Sequence, residues 1–362
     1  MKQSKENRNE NRETSPISNK KQWLLMGLFV VIAVMSVWAV AMQSREFSVA
    51  EFGEYIQEAS VPWLAMAGLC MLGFIFFEAL ALLTLCRTQG RKMTLWQGYI
   101  YAASDIYFSA ITPSATGGQP ASAYFMMKDG INAMRSTAIL IANLCMYTLA
   151  IVVVGLICLL LRFDIFLQYG TTSQVLIIVG FLLQVGLLTF FFMLLRHAEV
   201  LHRICSAVLG FLCRLRILKN REAKQAKLDG YMAKYRRNTK LITDHPKEMF
   251  LCFLFNFLQR VSQIAVTMFV YAATTGKGIL EALELWFWQS YVVIGANSIP
   301  VPGAMGVSDY MMLDGFRNIM GESQAVNLEL LSRSLSFYSC VIICGISVLI
   351  QYLRVKKRGK LS

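Results

Sequence analysis

The chain has 362 residues, 56% of them hydrophobic and 16% charged, with a mean hydropathy of +0.50. Soluble domains run roughly 45–50% apolar and about 25% charged, so a soluble enzyme and a disordered chain are both excluded and a polytopic membrane domain is expected. A net charge of +13 on its own would fit nucleic acid, but its confinement to the stretches between apolar runs argues against nucleic-acid binding.

Residues 1–21 are polar and aperiodic, and read as a disordered cytoplasmic tail. Gln22 to Met42 is the first apolar run of spanning length. A signal peptide cleaved near Ala39-Val40-Ala41 is the rival reading, against which the long polar leader counts. Further spans are expected at about 61–86, 135–161, 173–196, 248–274 and 325–353, so that residues 22–353 form one integral membrane domain with a basic tail at 354–362. The stretch 196–247 mixes Lys and Arg with Leu, Ile, Tyr and Met. It reads either as an amphipathic helix on anionic lipid or as a solvated helical hairpin.

Two apolar segments are interrupted. Residues 96–128 are broken at Thr112-Pro113-Ser114-Ala115-Thr116-Gly117-Gly118-Gln119-Pro120, and 283–320 at Ser298-Ile299-Pro300-Val301-Pro302-Gly303-Ala304-Met305-Gly306. Each is expected to form two short helices about a turn. With the N-terminus inside and both segments re-entrant, 29 of the 35 Lys and Arg fall on the cytoplasmic side. The expected fold is all-α: about six full transmembrane helices plus two opposed re-entrant hairpins, related as an inverted repeat, with both termini cytoplasmic.

Interrupted segments in corresponding halves of a chain point to a transport site. Helix starts at mid-membrane present N–H groups to an anion. Gly117, Gly118, Gly303 and Gly306 would let backbone approach a ligand closely. Ionisable residues within spans face a cavity or a partner. Here they are Glu78, Asp105, Arg260, Asp309 and Arg333, with Asp314 and Glu329 placed nearer the outer interface. Asn256, Gln259, Arg260, Gln263 and Thr267 share one helix face. Glu329 precedes Arg333 by four residues, the favourable order for an ion pair. Arg260 and Arg333 suit phosphate, while Asp105 and Asp309 would neutralise them or meet a cationic headgroup. Tyr99, Tyr101, Tyr107, Tyr124, Trp286 and Trp288 are expected to anchor at the interface.

Nine Cys form no C-x-x-C pair and three His are scattered, so no metal and no disulfide framework is expected. There is no phosphate-binding loop, no H-E-x-x-H and no G-x-S-x-G. No cofactor is expected.

The stretch Thr112 to Pro120, with Lys128-Asp129-Gly130 after it, resembles the first motif of the flippase-like family. That family comprises the transmembrane region of lysylphosphatidylglycerol synthase (multiple peptide resistance factor) and stand-alone relatives. Ile299-Pro300-Val301-Pro302-Gly303-Ala304-Met305-Gly306-Val307-Ser308-Asp309 resembles its second motif. The resemblance covers about residues 20–355. Gly303-Ala304 stands where the family often has Gly-Gly, and Asp309 where it usually has Glu.

The resemblance implies a bacterial plasma-membrane protein that moves a phospholipid, such as an aminoacyl-phosphatidylglycerol, between leaflets, which weakens cationic antimicrobial peptides. It places Thr112, Pro113, Gly117, Gly118 and Gln119 in the first binding turn, and Pro300, Pro302, Gly303 and Gly306 in the second. Full-length members add a synthase domain that transfers lysine from lysyl-tRNA to phosphatidylglycerol. This chain stops shortly after Leu353, so a stand-alone member is expected, with a separate lipid-modifying synthase as a partner and homo-oligomerisation left open. The rival readings are a phosphatidylglycerol lysyltransferase-type enzyme or its membrane subunit, a secondary transporter of a small solute, and a scaffold for envelope enzymes.

Overall fold

The computed structural model describes residues 49–88, 90, 93–112, 115–214, 221–299 and 301–358. The expected tail at 1–21, the apolar run Gln22–Met42, Pro113, Pro300 and the end of the basic tail lie outside the described residues.

Regular structure in the described residues is helical throughout. In chain order the helices are α1 (Val49–Gln57), α2 (Val61–Thr88), α3 (Leu95–Ile111), α4 (Gly118–Lys128), α5 (Ala133–Leu161), α6 (Phe163–Gln168) and α7 (Thr171–Arg196). They continue as α8 (Ala198–Arg214), α9 (Arg221–Thr243), α10 (Pro246–Thr275), α11 (Ile279–Ala296), α12 (Val307–Phe316), α13 (Glu322–Arg333) and α14 (Ser339–Arg358). A π-helical turn, Ser334–Tyr338, joins the last two.

Five stretches are long and apolar enough to cross a membrane: α2, α5, α7, α10 and the continuous Glu322–Val355. The shortest of them has 26 residues, about 39 Å of helix at about 1.5 Å per residue against a hydrocarbon core of about 30 Å. These helices coincide with the five spans expected from hydropathy within the described residues. The protein is an all-α polytopic membrane protein.

The helix ends follow local chemistry. Thr94 and Gln97 close a capping box at the start of α3. The Asn132 side chain accepts from the Arg135 N–H to open α5. Pro246 begins α10 and left-handed Gly276 ends it.

The interrupted segments are the helical pairs α3–α4 and α11–α12, each a longer arm followed by a shorter one. The shorter arms have 11 and 10 residues, about 15–17 Å each, too short to span. The order of span, long arm, turn, short arm and span therefore occurs twice. The first set begins at residues 61, 95, 118 and 133, and the second at 246, 279, 307 and 322, with offsets of 185, 184, 189 and 189 residues.

The two turns are built alike. The sequence Pro-x-Ala-x-Gly occurs as Pro113 to Gly117 and again, 189 residues on, as Pro302 to Gly306. Ala115 and Ala304 both have φ of 52°, and among the described residues they are the non-glycine positions with positive φ. The Ala115 N–H donates to the Thr112 carbonyl and the Ala304 N–H to the Val301 carbonyl, the same bond at the same offset.

The two sets run in opposite senses. Along α2 and α10, Ser60 meets Ala273, Trp63 stacks on Phe269, and Glu78 meets Gln259, so the helices are antiparallel. Each first arm turns back along its own span, so the two hairpins also point in opposite directions. The expected inverted relation is thus present in the backbone.

Helices α8 and α9 form a hairpin held by His202 against Asp229 at 2.7 Å and by Gln225 donating to Ser206 at 3.0 Å. Fully buried Tyr235 docks α9 on the bundle and donates to the Leu194 carbonyl of α7. Within 196–247 the described residues thus form a helical hairpin.

Candidate functional site

Both turns, α2, α3, α5, α7, α10, α11 and the π-helical turn enclose one cavity of about 700 Å³. Of the ionisable and polar residues singled out within the spans, Glu78, Asp105, Gln259, Arg260, Gln263 and Arg333 line it, with Gln119 and Gly303 of the turns. Its apolar wall includes Phe74, Leu187 and Phe191, and Leu187 is 39% exposed, so the cavity reaches the molecular surface beside α7.

Arg260 is residue 15 of the 30-residue α10 and is 6% exposed. Its guanidinium donates to the Tyr147 hydroxyl and to the Gln263 amide oxygen. Tyr147 in turn donates to Asn297 in the second turn at 3.1 Å. The Arg260 Nε is buried with no hydrogen-bond partner.

Arg333 closes another wall. Its Nε lies 2.8 Å from Asp309 Oδ1 and 4.0 Å from Glu329 Oε1. Asp309 is therefore the nearer partner, although the i,i+4 spacing pointed to Glu329. Glu329 is 1% exposed and lies inside the protein beside this pair. The buried Arg333 Nη2 has no hydrogen-bond partner.

Behind Arg260 lies a buried polar network. The Asn143 amide donates to Glu78 at 2.9 Å, Gln259 donates to the same carboxylate, and Asn256 donates to the Asn143 oxygen at 3.0 Å. These bonds tie α2, α5 and α10 together. Asn256 belongs to this network and does not line the cavity.

Asp105 faces the cavity from α3. It accepts from Gln119 Nε2 at 3.0 Å and from Ser109 Oγ at 3.3 Å. It forms no ion pair with either cavity arginine, whereas Asp309 does.

The turns correct one expectation. The Gly117 N–H is taken by Thr112 Oγ1 at 2.9 Å and the Gly306 N–H by Asp309 Oδ2 at 2.8 Å. These donors close their own turns instead of awaiting a ligand. Gly118 and Gly303 serve packing: a Cβ on Gly118 would lie 2.1 Å from Asp105 Oδ1, and one on Gly303 would lie 2.2 Å from Phe337 Cζ, whereas a Cβ on Gly306 would meet nothing within 4 Å. Thr112 acts within the turn as well, donating to the Phe108 carbonyl at 2.6 Å. Pro302 belongs to a short 3-10 turn with Gly303 and Ala304.

Several aromatic residues also depart from expectation. Tyr101 and Trp288 are fully buried and Trp286 is 9% exposed. Tyr101 donates to Asp129 at 2.6 Å, and the Trp288 carbonyl accepts from Tyr169 at 2.8 Å. They pack the protein interior instead of anchoring it at an interface.

Sequence reasoning missed Asn143 and Tyr147 of α5, Gln184 of α7, Gln289 of α11 and Asn297 at its end, all of which line the cavity, as does Ser298 of the second turn. A single polar residue within a long apolar run was the available signal. The π-helical turn carries Ser336 and Phe337 into the same wall, and such turns recur at functional sites.

A membrane domain of paired, oppositely directed helical hairpins about a charged internal cavity defines the class. The sequence pattern of the transmembrane region of lysylphosphatidylglycerol synthase matches residues 24–344, and the chain belongs to that family. No curated protein and no solved structure matches it. Membership connects this multi-pass membrane protein to lysylphosphatidylglycerol-related lipid handling.

Proposed function

We propose that the protein moves a phospholipid carrying both a phosphate and an amine, of the aminoacyl-phosphatidylglycerol kind, between the leaflets of a bacterial plasma membrane. The observation that carries this reading is the pair of buried arginines lining one cavity, each with a guanidinium nitrogen that lacks a hydrogen-bond partner. A buried, unused donor of this kind calls for an acceptor, and a phosphate oxygen supplies one in the geometry that guanidinium prefers.

Charge selects the rest of the headgroup. Glu78 and Asp105 line the cavity beside Arg260 and Arg333, so the lining is of mixed sign and favours a headgroup that carries ammonium groups as well as a phosphate. Asp105, which has no arginine partner, is the seat for the amine. The acyl chains stay in the bilayer beside Leu187 and Phe191. In this reading the hairpins are re-entrant, both termini are cytoplasmic, and the two equivalent turns gate the cavity from opposite sides.

The test is leaflet exchange of labelled phospholipids in liposomes holding the purified protein, compared across headgroups, with Arg260→Ala beside the wild type. Headgroup-dependent exchange, lost in the variant while membrane insertion is retained, is expected. Equal exchange in the variant sinks the assignment, and uptake of a soluble solute independent of lipid type would replace it with the transporter reading.

A further inference from the structure

A second cleft lies away from the cavity. It measures about 350 Å³ and sits where the end of α7 meets α8 and α9. Arg196, Arg236 and Lys240 surround it with His197, Thr243 and Asp244, over a floor of Leu195 and buried Thr239, so that three cations face the carboxylates of Asp244 and Glu199. Glu199 shares the rim, 3.8 Å from Arg236, but both side chains are 74% exposed, so the contact is weak and readily exchanged.

The surroundings show what reaches this cleft. Phe192 and Met193, one turn before Arg196 and His197 on the same faces of α7, are 56% and 41% exposed and so belong to its lipid-facing side. Helix α8 has two opposed faces. His202 and Ser206 turn toward α9, bonding Asp229 and Gln225. Ile204, Val208 and Phe211, spaced at helical intervals on the other side, are 40%, 53% and 62% exposed. An apolar stripe backed by a basic hairpin, beginning where a membrane-length helix ends, is the arrangement of a helix lying in the headgroup region.

We propose that the α7–α8 junction is a binding site for an anionic phospholipid: its phosphate sits among Arg196, Arg236 and Lys240, and α8 lays Ile204, Val208 and Phe211 into the acyl boundary. This lipid stays in its own leaflet and holds the hairpin on the membrane. The site shares no residue with the cavity, so it stands or falls apart from translocation. Identifying the leaflet as cytoplasmic rests on the orientation proposed above.

The test is amide hydrogen exchange of the full chain in nanodiscs of phosphatidylcholine alone and of phosphatidylcholine with phosphatidylglycerol. Exchange in residues 198–214 should be slower with phosphatidylglycerol. Replacing Arg196, Arg236 and Lys240 by Gln should remove that difference, with the preference for anionic lipid weakening by roughly fivefold per charge lost. Phe211→Asp should raise exchange in both lipids, and Arg260→Ala should change neither. Inorganic phosphate added to phosphatidylcholine nanodiscs separates the two sources of a phosphate group. Protection by phosphate alone, or no difference between the lipids in the wild type, overturns the proposal.

Discussion

Replacing Gly118 by Ala should pry the first hairpin apart. The added Cβ would lie 2.1 Å from both Asp105 Oδ1 and Ser109 Oγ, and 2.6 Å from the Asp105 carbonyl oxygen. The two side-chain atoms can rotate away, but the carbonyl belongs to α3 and cannot. Ordinary contact begins at 3.4 Å, so α4 must retreat by roughly 0.8 Å. That movement stretches the bond from Gln119 to Asp105 from 3.0 Å to about 3.8 Å, outside hydrogen-bonding range. Overpacking costs roughly 1–3 kcal/mol, and a lost hydrogen bond roughly 0.5–1.5 kcal/mol. A destabilisation of roughly 1.5–4.5 kcal/mol follows. The control is Gly186→Ala, because a Cβ there meets nothing within 4 Å and improves helix propensity by up to about 1 kcal/mol. Thermal unfolding of both variants in one detergent, with liposome exchange alongside, reads the difference. If Gly118→Ala unfolds with the wild type, the close approach of α4 to α3 does not hold Asp105 in place and the argument fails.

Arg333→Met should cost about 3–5 kcal/mol, because it leaves Asp309 and Glu329 buried without their cation. Adding Asp309→Asn should recover part of the loss in thermal unfolding, and no recovery would show that the pair is not the source. Asn143→Leu should destabilise by roughly 1–3 kcal/mol per orphaned group, since it strips a donor from Glu78 and an acceptor from Asn256; Asn143→Asp, which keeps an acceptor, should still cost stability through repulsion with Glu78. His202 holds the Asp229 carboxyl below its ordinary value. A carboxyl depressed in the folded state stabilises above its unfolded pKa, and that contribution is lost as pH falls through the folded value. Exchange protection of the α8–α9 hairpin should therefore decline below about pH 4, and Asp229→Asn should remove that decline.

The spans were legible because hydropathy sums over some twenty residues and tolerates local exceptions. The runs expected at 61–86 and 173–196 became α2 and α7 with ends shifted by two residues. The charges at 260 and 333 were legible for the same reason, since an arginine in such a run is costly. The inverted relation was visible in element order but not in identity, because the shared signal is three residues in five, in Pro113 to Gly117 and Pro302 to Gly306. What links these turns is conformational: Ala115 and Ala304 share a left-handed φ of 52° that an alanine does not advertise. The glycines were misread because a glycine admits either a ligand or a neighbouring helix, and sequence does not say which. Only the backbone shows that Asp105 stands over Gly118 and Phe337 over Gly303. Tyr101 and Trp288 followed the interfacial rule in composition and departed from it in place, because their polar atoms or backbone find partners inside the protein.

The antiparallel pairing of α2 with α10 has a consequence for biogenesis. Two stretches built on one pattern can insert in opposite senses only if their flanking charges are reversed. They are. Residues 43–60, ahead of α2, carry Arg45 against four Glu, and Arg87, Arg91 and Lys92 follow that helix. Ahead of α10, residues 196–245 hold 12 Lys and Arg, and only Lys277 lies in the linker after it. The direction of each half is thus written in a few charged residues that flank the spans. Moving the three basic residues at 87–92 to the other end of α2 would turn that half over during insertion. The cavity would then never assemble, although every residue that lines it would still be present.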